Sequence, residues 1–266
     1  MGVVDLQRVL SLKGGRNFRD LGGYATACGR SVRWRMLFRT GVLSQLTEDD
    51  HGTLMPLGIR CVVDFRTLAE REREPARWPA GDTLVQSWNY DEQVIELRQY
   101  FSGAQVTPEV AFEAMCGFYR TLPHQLADQF AGLFEALAGA QLPLVFGCSA
   151  GKDRTGIAAA LVLTSLGVPW AEVLADFVLT DEVVNFEKLL FARPGGSLGL
   201  GEGNSFLARL GPETRKPLLQ AHPAYLEEAF RSIVREYGSV DDYLESRLGI
   251  SADMREALRQ QLLEPA

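Results

Sequence analysis

Residues 146–156 read FGCSAGKDRTG: a cysteine, five residues, an arginine, then Thr-Gly. Such a stretch suits a loop that attacks phosphate, a loop that binds a nucleotide, or a strand-to-helix turn with an incidental thiol. Pro143 introduces the apolar run Leu144-Val145-Phe146, which reads as a short strand entering the loop. GIAAALVLTSLG leaves it as an apolar helix starting near Thr155-Gly156 and closed by Gly167. A nucleotide-binding Walker loop needs Gly, four residues, then Gly-Lys-Ser/Thr. Here only three residues separate Gly147 from Gly151-Lys152, and Asp153 replaces the hydroxyl that would hold magnesium. The Walker reading fails on both counts.

The phosphate-attacking reading fits each position. A phosphate monoester carries up to two negative charges, so a thiolate reaches its phosphorus only against compensating positive potential. Five residues between Cys148 and Arg154 let the chain curl around a tetrahedral oxyanion, with successive N–H groups turned inward as a nest. Ser149, Ala150 and Gly151 are small enough for that curl, and Lys152 and Asp153 complete it. The following helix aims its N-terminus at the same anion, and Arg154 offers a planar fork for two of its oxygens. That field favours the thiolate, the nucleophilic form of a cysteine. Attack gives a phosphocysteine that water hydrolyses, and departure of the alcohol calls for a general acid. A cysteine by itself is more often a small buried hydrophobe. The combination of Cys148, Gly151, Arg154, Thr155 and Gly156 between strand and helix is what sets this one apart.

Working outward, RMLFRT (35–40), IRCVVDF (59–65) and TLVQSWNY (83–90) read as strands, the last ending at Asp91. Thr47 caps a helix running to about Met55, and Thr67-x-x-Glu70 is a capping box for a short helix that stops before Pro75. Residues 108–137 turn helical, with a break expected near Pro123, and Pro169 opens the next helix in its first turn. Strands alternating with helices predict an α/β domain with a central, mostly parallel sheet flanked by helices. Beyond Thr180 only helices are expected, as C-terminal additions. RPGGSLGLGEGN (193–204) interrupts them as a loop, or as the hinge of a lid. It is no dinucleotide fingerprint, since no strand precedes it. HPAYLEEAFRSIVREYG and SADMREALRQQLL are amphipathic packing helices. A single domain over 1–266 is expected, with a possible helical lid at about 181–222.

Composition sets outer bounds. The net charge of −7 argues against a general nucleic-acid binder. Residues 1–41 carry eight Lys/Arg against Asp5 and Asp20, giving +6 there and −13 over the rest. A basic segment on an acidic body suits gathering of an anionic substrate, and equally suits a solvated surface with scattered ion pairs. Cys28, Cys61, Cys116 and Cys148 form no CxxC pair, and His51, His124 and His222 lie far apart. Neither a disulfide framework nor a metal site is expected, and no cofactor. The N-terminus is too mixed for a signal peptide and no stretch approaches a membrane span, so a cytoplasmic protein, or one secreted without a cleaved signal, is expected.

These motifs resemble the cysteine-based protein tyrosine phosphatases, whose signature is Cys, five residues, Arg, then Ser or Thr. The likeness is closest to the atypical, PtpB-like bacterial tyrosine/dual-specificity phosphatases. They carry Gly-Lys-Asp-Arg-Thr-Gly in this loop, here 151–156, and an N-terminal Asn-Phe-Arg-Asp, here Asn17 to Asp20. LFRTGVLSQLT, VVDFRTLAERE, LADFVLTDE and YLEEAFRSIVREYGSVDDYL extend the likeness over nearly the whole chain. The resemblance implies a nucleophilic Cys148, a phosphate clamp at Arg154, and a Thr155 hydroxyl that stabilises the departing thiolate. It implies a tyrosine-phosphatase fold, phosphorylated protein substrates, and phosphoinositides as an alternative suggested by Lys152-Asp153. Two residues compete as general acid. Asp153 lies in the loop, and Asp91 falls where relatives carry an acidic residue on an active-site loop. Asp64, beside Arg66, suits a structural ion pair better. The chain departs from the family at Gly147, where a histidine usually precedes the nucleophile. A less readily ionised thiol than in a Gly147→His variant is expected, and a catalytically weak phosphate-binding module becomes the alternative from another class.

Overall fold

The computed structural model describes residues 8–79, 81–90, 106–139, 141–191 and 203–265. Among these, the strands run β1 Arg19–Asp20, β2 Arg30–Val32, β3 Leu37–Thr40, β4 Cys61–Asp64, β5 Leu84–Ser87, β6 Leu144–Gly147 and β7 Leu263–Pro265. The helices are α1 Glu48–Leu54, α2 Leu68–Arg73, α3 Pro108–Gln125, α4 Ala127–Ala138, α5 Asp153–Ser165 and α6 Trp170–Val183. They continue as α7 Phe186–Phe191, α8 Gly203–Arg209, α9 Pro212–Leu219, α10 Pro223–Tyr237, α11 Val240–Ser246 and α12 Ala252–Leu262. The expected α/β architecture is present.

Five strands form one sheet in the order β1-β3-β6-β4-β5. The pairs β3–β6, β6–β4 and β4–β5 are parallel, and β1 is antiparallel at the edge. Alternate side chains enter two different cores, as the period of a strand requires. Phe38, Val62 and Val145 pack on one face with Leu46 and Leu54. Leu37, Cys61, Val63, Leu144 and Phe146 pack on the other with α3 to α6 and α10. Both faces are covered, which is why the central strands are apolar almost throughout. The register sets Gly147 beside both Thr40 and Asp64, so the loop after β6 emerges at the carboxyl ends of three parallel strands. Ligands of open α/β sheets bind at that edge.

Several sequence expectations are corrected. Helix α3 runs through Pro123 and breaks at Leu126 instead. Helix α5 starts at Asp153, two residues earlier than expected, and Pro169 is the N-cap of α6 and not its first residue. Strand β5 covers only Leu84–Ser87. The C-terminal part is not purely helical: β7 pairs antiparallel with β2, Val32 opposite Leu263. Three residues paired across more than two hundred leave no periodic signal in sequence. The capping box at Thr67 with Glu70 forms as expected, and Thr47 caps α1 as expected, where Asp50 completes a second box that the sequence reading did not include. The stretch 193–204 lies almost wholly outside the described residues, as does Asp91.

Candidate active site

The chain between β6 and α5 is a tight loop, and two glycines make it so. A Cβ on Gly147 would lie 2.7 Å from both the Thr40 carbonyl oxygen and its Cγ2. Thr40 thus fills the room a side chain would take at the position where the resemblance expects histidine. Gly151 has φ +68°, and a Cβ there would meet Gly41 N at 2.7 Å and Thr40 O at 2.8 Å. Only glycine adopts that turn against that neighbour without strain. The loop is further fixed by Val42 N–H donating to Ser149 O (3.0 Å) and Phe65 N–H to Gly147 O (2.8 Å).

Within it Cys148 is buried and accepts a hydrogen bond from the Thr155 hydroxyl, Oγ1 to Sγ 3.1 Å. Arg154 reaches back beside it. Its Nη1 donates to Glu70 Oε2 (2.7 Å) and Phe65 O (2.9 Å), and its Nη2 to Glu70 Oε1 (2.7 Å). A guanidinium has five N–H donors in a rigid fork. Among the described residues three are taken, which leaves Nε–H and the second Nη2–H as one parallel edge. That edge has the geometry that grips two oxygens of a phosphate.

Glu70 was legible only as a capping residue, and it does cap, accepting from Thr67 N–H at 2.8 Å. The same carboxylate also accepts from Ser149 Oγ at 2.5 Å. Burial alone would raise its pKa. The charge of Arg154 and the hydrogen bonds from Arg154, Ser149 and Thr67 override that and bring it down to about 2. Beside Glu70, Arg71 donates to the carbonyls of Arg66 (2.5 Å) and Trp88 (2.8 Å) and to Asn89 Oδ1 (2.6 Å). Tyr90 donates to Phe65 O, and its hydroxyl lies 3.3 Å from Arg154 Nη1. The approach to Asp91 is therefore anchored next to the loop, and Asp91 itself lies outside the described residues.

Behind the loop, the Gly151 carbonyl accepts from Asn17 Nδ2 and Arg39 Nη2, both at 2.8 Å. Arg39 also pairs with Asp176 Oδ2. Arg19 donates through Nε to Asp176 Oδ1 (3.1 Å), through Nη2 to Asp176 O (2.7 Å), and through Nη1 to Asn17 Oδ1. Tyr24 donates to Asp176 Oδ1 at 3.1 Å. All five side chains are buried. Burial and neighbouring Arg39 pull Arg19 down to about 10, against the pull of Asp176. Asp176 itself is held far below the usual carboxylate range: burial opposes this, and Arg19 and Arg39 prevail.

Asp153 and Lys152 are turned to the helices. Asp153 Oδ1 accepts from the Tyr119 hydroxyl at 2.7 Å, and Lys152 Nζ lies 3.5 Å from the same oxygen. Burial, with Asp153 close by, raises Tyr119 well above its ordinary range, so the phenol remains a donor. Lys152 Nζ donates to the carbonyls of Leu218 (2.9 Å) and Gln220 (3.2 Å) and is itself buried. Its amino group thus faces the α9–α10 connection. Ala150 is half-buried at the turn of the loop. Asp64 makes the expected ion pair, Arg66 Nη2 to Oδ2 at 2.7 Å. Among the described residues no group of three or more His, Cys, Asp or Glu is placed to hold a metal, and no helix is long and apolar enough to cross a membrane. Asp176, Tyr119 and Glu70 were missed because each becomes informative only beside partners tens of residues away.

The sequence pattern of the tyrosine phosphatase family matches residues 10–264. A Cupriavidus necator protein whose name places it among the tyrosine-protein phosphatases is 34% identical over 241 residues, 88% of this chain and 82% of that one. The triple specificity protein phosphatase PtpB of Mycobacterium tuberculosis is 30% identical over 285 aligned residues, 96% of this chain and 99% of that one. A tyrosine-protein phosphatase of Nostoc commune is 33% identical over 145 residues, 53% of this chain and 47% of that one.

Proposed function

The chain belongs to the tyrosine phosphatase family and is a phosphatase, and on that premise we propose that it hydrolyses phosphate monoesters through Cys148. The observation that carries the reading is the edge of Arg154 that no described residue fills, held by Glu70 beside the Cys148 thiol. The Cys148 thiolate attacks phosphorus as the ester P–O bond breaks, and the leaving oxygen takes a proton from a carboxyl group. Water then attacks the phosphocysteine. The S–P bond breaks, the thiolate is re-formed opposite the Thr155 hydroxyl, and the water's proton passes to the carboxylate. Backbone N–H groups of Ser149 to Arg154 and the Arg154 fork stabilise the charge on the transferred phosphoryl oxygens.

We assign the general acid to Asp91 and a bracing role to Asp153. The Asp153 carboxylate is engaged by Tyr119 and Lys152, whereas Asp91 follows Tyr90, whose hydroxyl touches Arg154. Asp91→Asn slows hydrolysis of phenyl phosphate far more than of esters with good leaving groups. Asp153→Asn slows both alike.

Phosphotyrosine proteins lead as substrates, with phosphoserine and phosphothreonine behind. The phosphoinositide reading drew on the charge of Lys152, whose amino group is engaged with the Leu218 and Gln220 carbonyls. A lid over the site at about 181–222 is supported by that same tie between loop and α9. Cys28, Cys61, Cys116 and Cys148 are all free thiols, which favours the cytoplasm, with export without a cleaved signal as the alternative. Turnover of p-nitrophenyl phosphate by the wild type, its loss in Cys148→Ser, inhibition by vanadate and indifference to EDTA test the reading. A wild type with no turnover would replace it with the phosphate-binding module that Gly147 suggested.

A further inference from the structure

The donors behind the loop address its backbone, not its ligand, which gives them a role apart from the chemistry at Cys148. In a trans peptide the carbonyl of one residue and the N–H of the next point in opposite directions. The Gly151 carbonyl points backwards, to Asn17 Nδ2 and Arg39 Nη2. The Lys152 N–H therefore points forwards, to the side where Cys148 and Arg154 lie. Among the described residues no carbonyl or side chain accepts from the N–H groups of Ala150, Gly151 or Lys152. Were the Gly151 peptide turned over, a carbonyl oxygen would face the anion and repel it.

Three observations show that this orientation is built in. Asn17 sits at φ +54°, a left-handed conformation that costs a non-glycine residue energy and that asparagine tolerates best. Its amide orientation is fixed, because the Arg19 guanidinium on its other side only donates and so must meet Oδ1, leaving Nδ2 for Gly151. Two guanidinium groups share one carboxylate, Asp176, with Tyr24 as the further donor, so a net positive charge is buried behind the loop. A carbonyl oxygen is the polar group such a charge attracts.

We propose that Asn17 and Arg39 are positioning residues for the phosphate loop, holding the Gly151 carbonyl out of the cradle so that the Lys152 N–H faces the phosphoryl oxygens. The proposal rests on the phosphatase reading and adds a function to the buried surroundings of the loop. It also accounts for charge compensation at a site where Gly147 supplies no imidazole.

The chain has four lysines, Lys13, Lys152, Lys188 and Lys216, so protein labelled with 15N-lysine gives a simple amide spectrum. A Lys152→Arg variant assigns the signal. Orthovanadate is expected to move the Lys152 amide proton strongly downfield in the wild type. Asn17→Asp keeps the acceptor for Arg19 and replaces the donor to Gly151 with an oxygen. It is expected to melt with the wild type, to bind vanadate about tenfold more weakly, as loss of an aligned donor implies, and to show a smaller Lys152 shift. An Asn17→Asp protein that binds vanadate as the wild type does would overturn the proposal. So would a wild-type Lys152 amide that vanadate leaves unmoved, a result that stands even if the variant does not fold. A wild type that vanadate fails to inhibit would sink the phosphatase reading instead, before the clamp is tested.

Discussion

Two buried arginines flank the Cys148 loop and are held in opposite ways. Arg154, on the thiol side, shares Glu70 with no other cation among the described residues, and their two-pronged pair leaves one edge of its fork without a described partner. Arg39, on the far side, shares Asp176 with Arg19 and gives its other prong to the Gly151 carbonyl. The first arrangement is neutral before substrate arrives and gains an anion afterwards. The second carries an unmatched positive charge permanently and gains nothing. A guanidinium that must meet a ligand is aimed by its own carboxylate. One that must shape a backbone shares its carboxylate, so that a peptide oxygen takes its other prong.

The sharpest way to break this contrast is Asp176→Asn. Removing the shared carboxylate leaves two buried cations facing each other, a loss on the order of 3–5 kcal/mol. Thermal unfolding is expected to fall by roughly 10 °C, and a variant melting with the wild type would show that the arginines do not share that charge. Next comes Arg154→Lys, which keeps the charge and loses the fork. Its kcat on p-nitrophenyl phosphate is expected to drop on the order of 10²–10³-fold, the scale of losing oriented donors to a transition state. A drop below about tenfold would reduce the free edge to an incidental feature.

Glu70→Gln probes the aiming itself. The carboxyl is depressed from 4.5 to about 2 in the folded protein. A depressed carboxyl stabilises above its unfolded pKa, and that stabilisation is lost as pH falls toward the folded value. The wild type should therefore outlast Glu70→Gln by a few kcal/mol, on the order of the shift, at pH 7. The two melting curves should converge between pH 4.5 and 2. A gap constant with pH would mean that Arg154 does not depend on this charge. The smallest effect is expected from Gly147→Ala, whose Cβ presses on Thr40 at 2.7 Å. A cost of about 1–3 kcal/mol in denaturant unfolding is typical of such overpacking.

Much of this was legible in the sequence, and unevenly. The strand, loop and helix around Cys148 follow from local composition, since the thiol, the small residues and Arg154 are neighbours in the chain. The Asp64–Arg66 pair, the cap at Thr47 and the capping box at Thr67 were readable for the same reason. Glu70 was read for only half of what it does, because capping needs three residues of context and bracing Arg154 needs a partner 84 residues away. Asp176 lay within a stretch matching the resemblance, with nothing to say what it does. As one of four acids in α6 it looks like a surface residue until Arg19 and Arg39 are brought to it. The choice between Asp91 and Asp153 turned on Tyr119, which nothing in its own helix distinguishes from core.

The clamp on Gly151 also ties catalysis to the order in which the chain assembles. Its contacts join residues 112 to 157 positions apart, from β1, β3, the loop and α6. Contacts of such separation form only after the intervening chain has closed, so they arrive with the completed sheet and not ahead of it. A fragment or a half-folded chain can hold Cys148 and Arg154 at the start of a helix and still lack the turned peptide between them. Turnover in this protein is therefore expected to track the complete fold, rising with the closure of these long-range contacts and not before it.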